Sequence, residues 1–163
     1  MSVAGIDPGL SGAIAVYEGG RILKLWDIPT FEKPVGGKLR KSVDVPALHH
    51  IIGCVKQLGV RLAVIEEVHG MPNNGAVQAF KFGWVCGVIY GGFSGFRIPV
   101  EMARPNVWKK ALKVPADGKA SVARADELFP DQRHLWRGPK GAALHDRAEA
   151  AMLARYGADT WCK

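Results

Sequence analysis

Four carboxylates sit where their surroundings invite chemistry: Asp7 in AGIDPGLSGA, Glu66 in RLAVIEEV, and Asp146 and Glu149 in HDRAEAAMLA. Asp7 ends an apolar run just before a Pro-Gly turn, and Glu66 ends another apolar run, so both read as strand-terminal acids. Asp146 and Glu149 are three residues apart, which puts them on one face of a helix. Gathered in one place, these groups would repel unless divalent cations neutralised them. All-oxygen ligation suits hard ions, Mg²⁺ first and Mn²⁺ as a substitute. Two such ions about 4 Å apart form the arrangement that activates water and stabilises the leaving oxygen of a phosphodiester. Each acid also has a plainer reading. Asp before Pro-Gly serves as a turn residue, Glu66 and Glu67 alternate faces so that one of them can simply be solvated, and acids near a helix start are favoured by the macrodipole alone.

The elements that must position these groups follow from the apolar pattern. Residues 2–6, 12–17 and 21–28 read as strands, the last two joined by Glu18-Gly19-Gly20 as a hairpin. Residues 32–41, rich in Gly and Lys, predict a mobile basic loop. Asp44 caps a helix through about 58, with Val45, Leu48, Ile51, Ile52 and Val55 at helical spacing, and Gly59 ends it. Residues 61–68 read as a buried strand, and the loop 70–75 leads into a helix over 76–93 whose Gly83, Gly87, Gly91 and Gly92 would permit close packing. A strand over 97–102, a short helix over 105–112, a turn at 115–118, a helix over 119–129, a basic loop over 130–141 and a last helix over 144–156 complete the chain. The order βββαβαβα implies a mixed α/β domain whose crossover strands are parallel and central. Ligands collect beyond the carboxyl ends of such strands, where Asp7 and Glu66 would meet.

Composition bounds the partners. The chain has 163 residues, 48% of them hydrophobic, which is enough for one core and one domain over 1–163. Lys and Arg number 22 against 15 Asp and Glu, a formal charge of +7 that favours a polyanionic partner. Cys54, Cys86 and Cys162 are too widely spaced for a zinc site and odd in number, so they read as reduced thiols of a cytoplasmic protein. Neither a signal peptide nor a membrane span is expected.

The segments GIDPGLSGA, VIEE, FKFG, PNVWKKAL, GKASVAR and HDRAEAAMLA, in this order, resemble the RuvC family of Holliday junction resolvases (crossover junction endodeoxyribonucleases), and its phage-type branch in particular. The resemblance runs from residue 4 to about 157. It implies a ribonuclease H-like fold with a mixed five-stranded sheet, three antiparallel strands followed by parallel crossovers, flanked by helices. It also implies a homodimeric, Mg²⁺-dependent endonuclease acting on branched DNA in a bacterial cell or phage-infected host. The products would be 5′-phosphate and 3′-hydroxyl ends. Matched position by position, Asp7, Glu66 and Glu149 correspond to the metal-binding catalytic acids, and Asp146 to a further acid one helical turn earlier. Lys119 corresponds to a phosphate-contacting lysine, Lys109 or Lys110 to a second, and His145 to a polar neighbour of the acids. Where cellular members carry an aromatic that stacks into an opened junction, this chain has His69, Gly70 and Met71. It also has Glu149 where they commonly carry aspartate. Looser selection, extending to forks or flaps, is the corresponding expectation.

Lys33, Lys38, Arg40 and Lys41, with Arg133, Arg137 and Lys140, are candidates to grip phosphates outside the site, or else ordinary surface cations. Symmetric cutting of a four-way junction requires a two-fold dimer, for which Phe80, Trp84, Val88 and Tyr90 of the second helix offer either an interface or a core stripe. A non-catalytic branched nucleic-acid-binding module of the same fold is the rival reading. An actin-like phosphotransferase, suggested by DPGLSG, needs two lobes that 163 residues do not supply.

Overall fold

Val3, Ala4, Gly5, Ile6 and Asp7 make the first strand, β1 (Val3–Asp7), apolar on both sides because it runs through the middle of the molecule. It pairs antiparallel with β2 (Ala13–Glu18), which pairs antiparallel with β3 (Arg21–Asp27). Gly19 and Gly20 join β2 to β3 at φ 57° and 89°, the left-handed conformations a two-residue hairpin loop demands. On its other edge β1 lies parallel to β6 (Leu62–Glu66), itself parallel to β7 (Val100–Ala103), giving one five-stranded sheet in the order β3-β2-β1-β6-β7. This computed structural model describes residues 1–67, 75–115 and 118–162, apart from the side chains of 118 and 119.

Alternation along β1 assigns its two faces to two cores. Ala4 and Ile6 pack under α1 (Val45–Gln57) and α2 (Ala76–Gly95), with Leu48, Ile52, Ile89 and Phe93. Val3 joins Val64, Trp108, Trp136 and Met152 on the opposite face, under α3 (Pro105–Ala111), α4 (Gly118–Leu128) and α5 (His145–Trp161). The expected mixed sheet flanked by helices is therefore present. Asp44 caps α1 as predicted, accepting the Ala47 N–H at 3.1 Å.

Four expectations need correction. Residues 32–41 are not a loop: β4 (Thr30–Val35) and β5 (Lys38–Val43) form a separate two-stranded sheet. Gly36 and Gly37, at φ 57° and 75°, supply its turn, and Pro34 is tolerated because the ribbon is all edge. The basic stretch 130–141 is also ordered, as 3₁₀ segments Pro130–Trp136 and Pro139–Gly141, because Trp136 is fully buried and donates its indole N–H to Asp126 at 2.8 Å. Of the α2 glycines expected to permit close packing, Gly92 does so against Ile52, whereas Gly83, Gly87 and Gly91 face open space. The last helix also continues past 156 to Trp161, carrying Gly157 against Val3 and Val64. Among the described residues, no helix is long and apolar enough to cross a membrane.

Candidate active site

The parallel register of β1 and β6 pairs Ile6 with Ile65, so the next residue of each strand, Asp7 and Glu66, emerges at the same sheet edge. Helix α5 reaches that edge because β1 lets it. A Cβ on Gly5 would lie 2.2 Å from Ala150 O and from Ala154 N, so only glycine allows the backbones to approach this closely. With α5 pressed on β1, its first turns bring Asp146 and Glu149 to the end of the strand. Gly12 shapes the turn beyond Asp7: its Cβ would meet Asp7 O at 2.0 Å.

The electrostatics show how closely these acids are associated. The Asp7 carboxyl is pushed up to about 8, first by burial and then by the negative charges of Glu66, Asp146 and Glu149, with Lys109 pulling the other way. Glu66 is buried, and burial raises its carboxyl too. The Trp108 indole N–H, donated to Glu66 Oε1 at 3.0 Å, opposes that rise, while Glu149 adds to it. Lys109 Nζ donates to Glu149 at 3.1 Å, in a half-buried ion pair. Both partners come from α3, whose PNVWKKA turns Trp108 and Lys109 towards the acids and leaves Lys110 exposed.

The sequence-predicted acids are thus electrostatic neighbours. They are not a closed ligand shell: among the described residues, no three His, Cys, Asp or Glu side chains stand together in a way that could hold a metal ion. The donor set nevertheless suits a hard divalent cation. It is all oxygen, partly withdrawn from water and short of positive charge, as the raised Asp7 carboxyl records. In this conformation the Lys109 ammonium supplies that charge.

The other predicted residues divide. His145 starts α5, half-buried, with its Nδ1 enclosed and without a hydrogen-bond partner. Lys33, Lys38, Arg40 and Lys41 stand exposed on the β4–β5 ribbon, and Arg133 and Lys140 are exposed on the 3₁₀ segments. Arg137 is instead tied to Asp126, an internal ion pair that leaves it less available to a ligand. Phe80, Trp84 and Tyr90 are exposed, while Val88 packs against the core. His69, Gly70 and Met71, Ala116 and Asp117 of the turn 115–118, and the Lys119 side chain lie outside the described residues. Sequence reading missed the roles of Trp108 and of the Arg147 guanidinium, which donates to both carboxylate oxygens of Asp27 at 2.6 Å. The only signal for either was a tryptophan and an arginine beside suspected site residues.

No protein-family model matches the sequence, and no curated protein does. Solved structures match over nearly its whole length. RuvC of Thermus thermophilus in complex with a Holliday junction substrate aligns at 18% identity and TM-score 0.64, covering 99% of this chain and 97% of that one. A second Thermus thermophilus RuvC structure aligns at 20% identity and TM-score 0.60, covering 98% and 96%. The fowlpox virus Holliday junction resolvase aligns at 16% identity and TM-score 0.52, covering 98% and 99%. The mixed sheet, its flanking helices and these alignments together give the chain the ribonuclease H-like fold of RuvC-type resolvases.

Proposed function

We propose that this chain is a structure-selective DNA endonuclease, one nuclease domain over 1–163, that hydrolyses phosphodiesters in branched DNA, with four-way junctions, forks and flaps as its substrate class. The observation that carries the reading is Asp7, half-buried beside the buried Glu66, within the field of Asp146 and Glu149 and balanced only in part by Lys109. Such an arrangement works against folding, because burying mutually repelling carboxylates is costly. Strongly perturbed acids of this kind concentrate where chemistry is done.

Asp7, Glu66, Asp146 and Glu149 would hold two Mg²⁺ ions, or Mn²⁺ in their place; when bound, these supply a water of lowered pKa and positive charge at the departing 3′-oxygen. The remaining work falls to the chain itself. Trp108 fixes one oxygen of Glu66, which orients the other. Lys109 offsets the negative charge of the acids so that a phosphate can approach them, and Lys110 and Lys119 would contact its neighbours, as the resemblance implies. His145 precedes Asp146 and, its Nδ1 being enclosed, would serve a phosphate oxygen or a proton through its other ring nitrogen. Breaking the bond from phosphorus to the 3′-oxygen leaves a 5′-phosphate and a 3′-hydroxyl. Cutting opposed strands of a two-fold junction calls for a homodimer, and the open glycine stripe of α2 beside Tyr90 is the surface we assign to it.

The test is cleavage of end-labelled four-way, Y-shaped and linear duplex DNA in Mg²⁺, alongside Asp7→Asn and Glu149→Gln. Nicking of branched but not linear DNA, abolished in both variants with binding retained, is the expected result. A second reading, a non-catalytic branched-DNA-binding module, is favoured by the ion pair of Lys109 with Glu149 and by the lack of a closed ligand shell among the described residues. Tight junction binding without metal-dependent cleavage of any substrate would establish that reading instead.

A further inference from the structure

Beyond the Pro8-Gly9-Leu10-Ser11 turn that follows Asp7 lies an open groove of about 700 Å³. The β4–β5 ribbon forms one wall and the first half of α2 the other. The ribbon brings Lys33, Arg40 and Lys41, and α2 brings Lys81; among the described residues no acidic side chain lines the groove. Among the described residues no carboxylate forms an ion pair with any of these cations. Lys33 and Arg40 stand directly opposite each other across the ribbon. That like-charge pair weakens the ribbon unless an anion lies between its members.

The α2 wall is aromatic. Phe80 is 76% exposed and Trp84 44% exposed, and both line the groove together with Phe82. Cations facing aromatic planes are what a single nucleic-acid strand requires, phosphates meeting the charges and unstacked bases lying on the rings. A duplex keeps its bases stacked inside and would leave the aromatic wall idle. A second copy seated in the groove itself would bring cations against cations; the meeting of two copies assigned above lies further along α2, at Gly87 and Tyr90.

The groove also leads somewhere. A smaller cavity of about 340 Å³, lined by Asp27, Asp146 and Arg147, shares Leu10, Ser11 and Lys41 with it. A strand leaving the groove over Ser11 and Lys41 therefore arrives at Asp146, beside the other acids.

We infer that the groove is a single-strand cleft. It takes an unpaired DNA segment, stacks its bases on Phe80 and Trp84, binds its phosphates through Lys33, Arg40, Lys41 and Lys81, and feeds the strand to the acidic site. Only the last step rests on the nuclease reading. The cleft then adds a requirement for unpaired nucleotides next to the cut, met at a branch point and absent from continuous duplex.

The test is fluorescence anisotropy of the full chain with fluorescein-labelled oligo(dT) and with a duplex of equal length, in EDTA so that cleavage plays no part. The wild-type protein is expected to bind the single strand more tightly. The double variant Phe80→Leu/Trp84→Leu, which keeps apolar bulk but removes the stacking faces, should lose about tenfold or more for the single strand, the worth of one stacked base, and little for the duplex. Phe80→Tyr/Trp84→Tyr should restore binding. Lys33→Gln/Arg40→Gln should reduce the salt slope by about 1.4, two phosphate contacts on a single strand. Wild-type oligo(dT) affinity in the leucine variant overturns the proposal. So does a shift of that variant from dimer to monomer in sedimentation with oligo(dT) affinity unchanged, which would assign the face to a second copy. Loss of oligo(dT) binding in the leucine variant, together with a wild-type chain that cuts no DNA in Mg²⁺, would leave the cleft standing where the nuclease reading had failed. Junction cleavage together with an indifferent leucine variant would do the reverse.

Discussion

Asp7 is the residue on which the site turns, and its raised carboxyl has a thermodynamic consequence. The unfolded chain loses the proton near the ordinary 3.8, whereas the folded chain holds it to about 8. Between those values the native state binds more protons, so stability falls as pH rises through the window and levels off above about 8. Glu66, raised in the same direction, steepens the fall. Thermal melting of the protein in EDTA from pH 5 to pH 8.5 should show that decline. Asp7→Asn should flatten it, melt higher at the alkaline end and be more stable there by on the order of a few kcal/mol; a wild-type melting temperature independent of pH would contradict the raised Asp7 carboxyl. Lys109 lowers both carboxyls, so Lys109→Met should deepen the alkaline loss in EDTA, and added Mg²⁺ should narrow the gap to wild type. An equal gap with and without Mg²⁺ would separate Lys109 from the cation site. At this scale the acids were legible in the sequence because each ends an apolar run or shares a helix face. Trp108 was not, since its bond to Glu66 joins residues far apart in the chain and depends on how α3 lands.

The elements show where local pattern is enough and where it is not. The first three strands, α1 with its Asp44 cap and the parallel β6 could be read from alternation, turn glycines and helical spacing. The β4–β5 ribbon could not, because its strands bury almost nothing and Lys, Pro and Gly mask the alternation; its Gly36-Gly37 turn was the available signal. The 3₁₀ segment ending at Trp136 was hidden in the same way by surrounding charge, although a lone tryptophan there asked for burial. Two predictions belong to this scale. Gly5→Ala puts a methyl group into the backbone of α5, and should cost about 1–3 kcal/mol in urea unfolding while weakening activity, because it lifts Asp146 and Glu149 from Asp7. Indifference to this change would mean that α5 can move without consequence. The ribbon should be dispensable for folding. Thr30 and Val43 are paired across it, so replacing 31–42 by Asn-Gly can close the chain with a two-residue turn. The trimmed protein should melt within a few degrees of wild type, since only about 1 kcal/mol is at stake in an exposed ribbon, yet bind DNA more weakly and with a smaller salt slope. A large loss of stability would show that the ribbon supports the core under Val43.

At the scale of the whole molecule the sequence gives a net charge of +7 but not its placement, which arises when the ribbon, α2 and α3 arrange their cations around one acidic edge. One active site cuts one strand, so paired cuts in a four-way junction depend on how two molecules meet. Helix α2 is the surface where that meeting can be tested. Gly83, Gly87 and Gly91 recur at helical spacing with no neighbour of their own chain near a Cβ, and Tyr90 beside them is 48% exposed. Each glycine costs the helix about 1 kcal/mol relative to alanine, and nothing in the monomer's packing returns it. Gly87→Glu and Tyr90→Asp place like charges where two copies would meet, without disturbing a buried contact. Sedimentation velocity should show a dimer for wild type and a monomer for each variant. With labels on opposed arms of one junction, wild type should cut both strands within the lifetime of a single complex. The variants should release singly nicked junctions, because their intact acids still work but no longer work in pairs. Variants that remain dimeric and cut in pairs would move the interface off α2, and a wild-type monomer that makes paired cuts would remove the need for one.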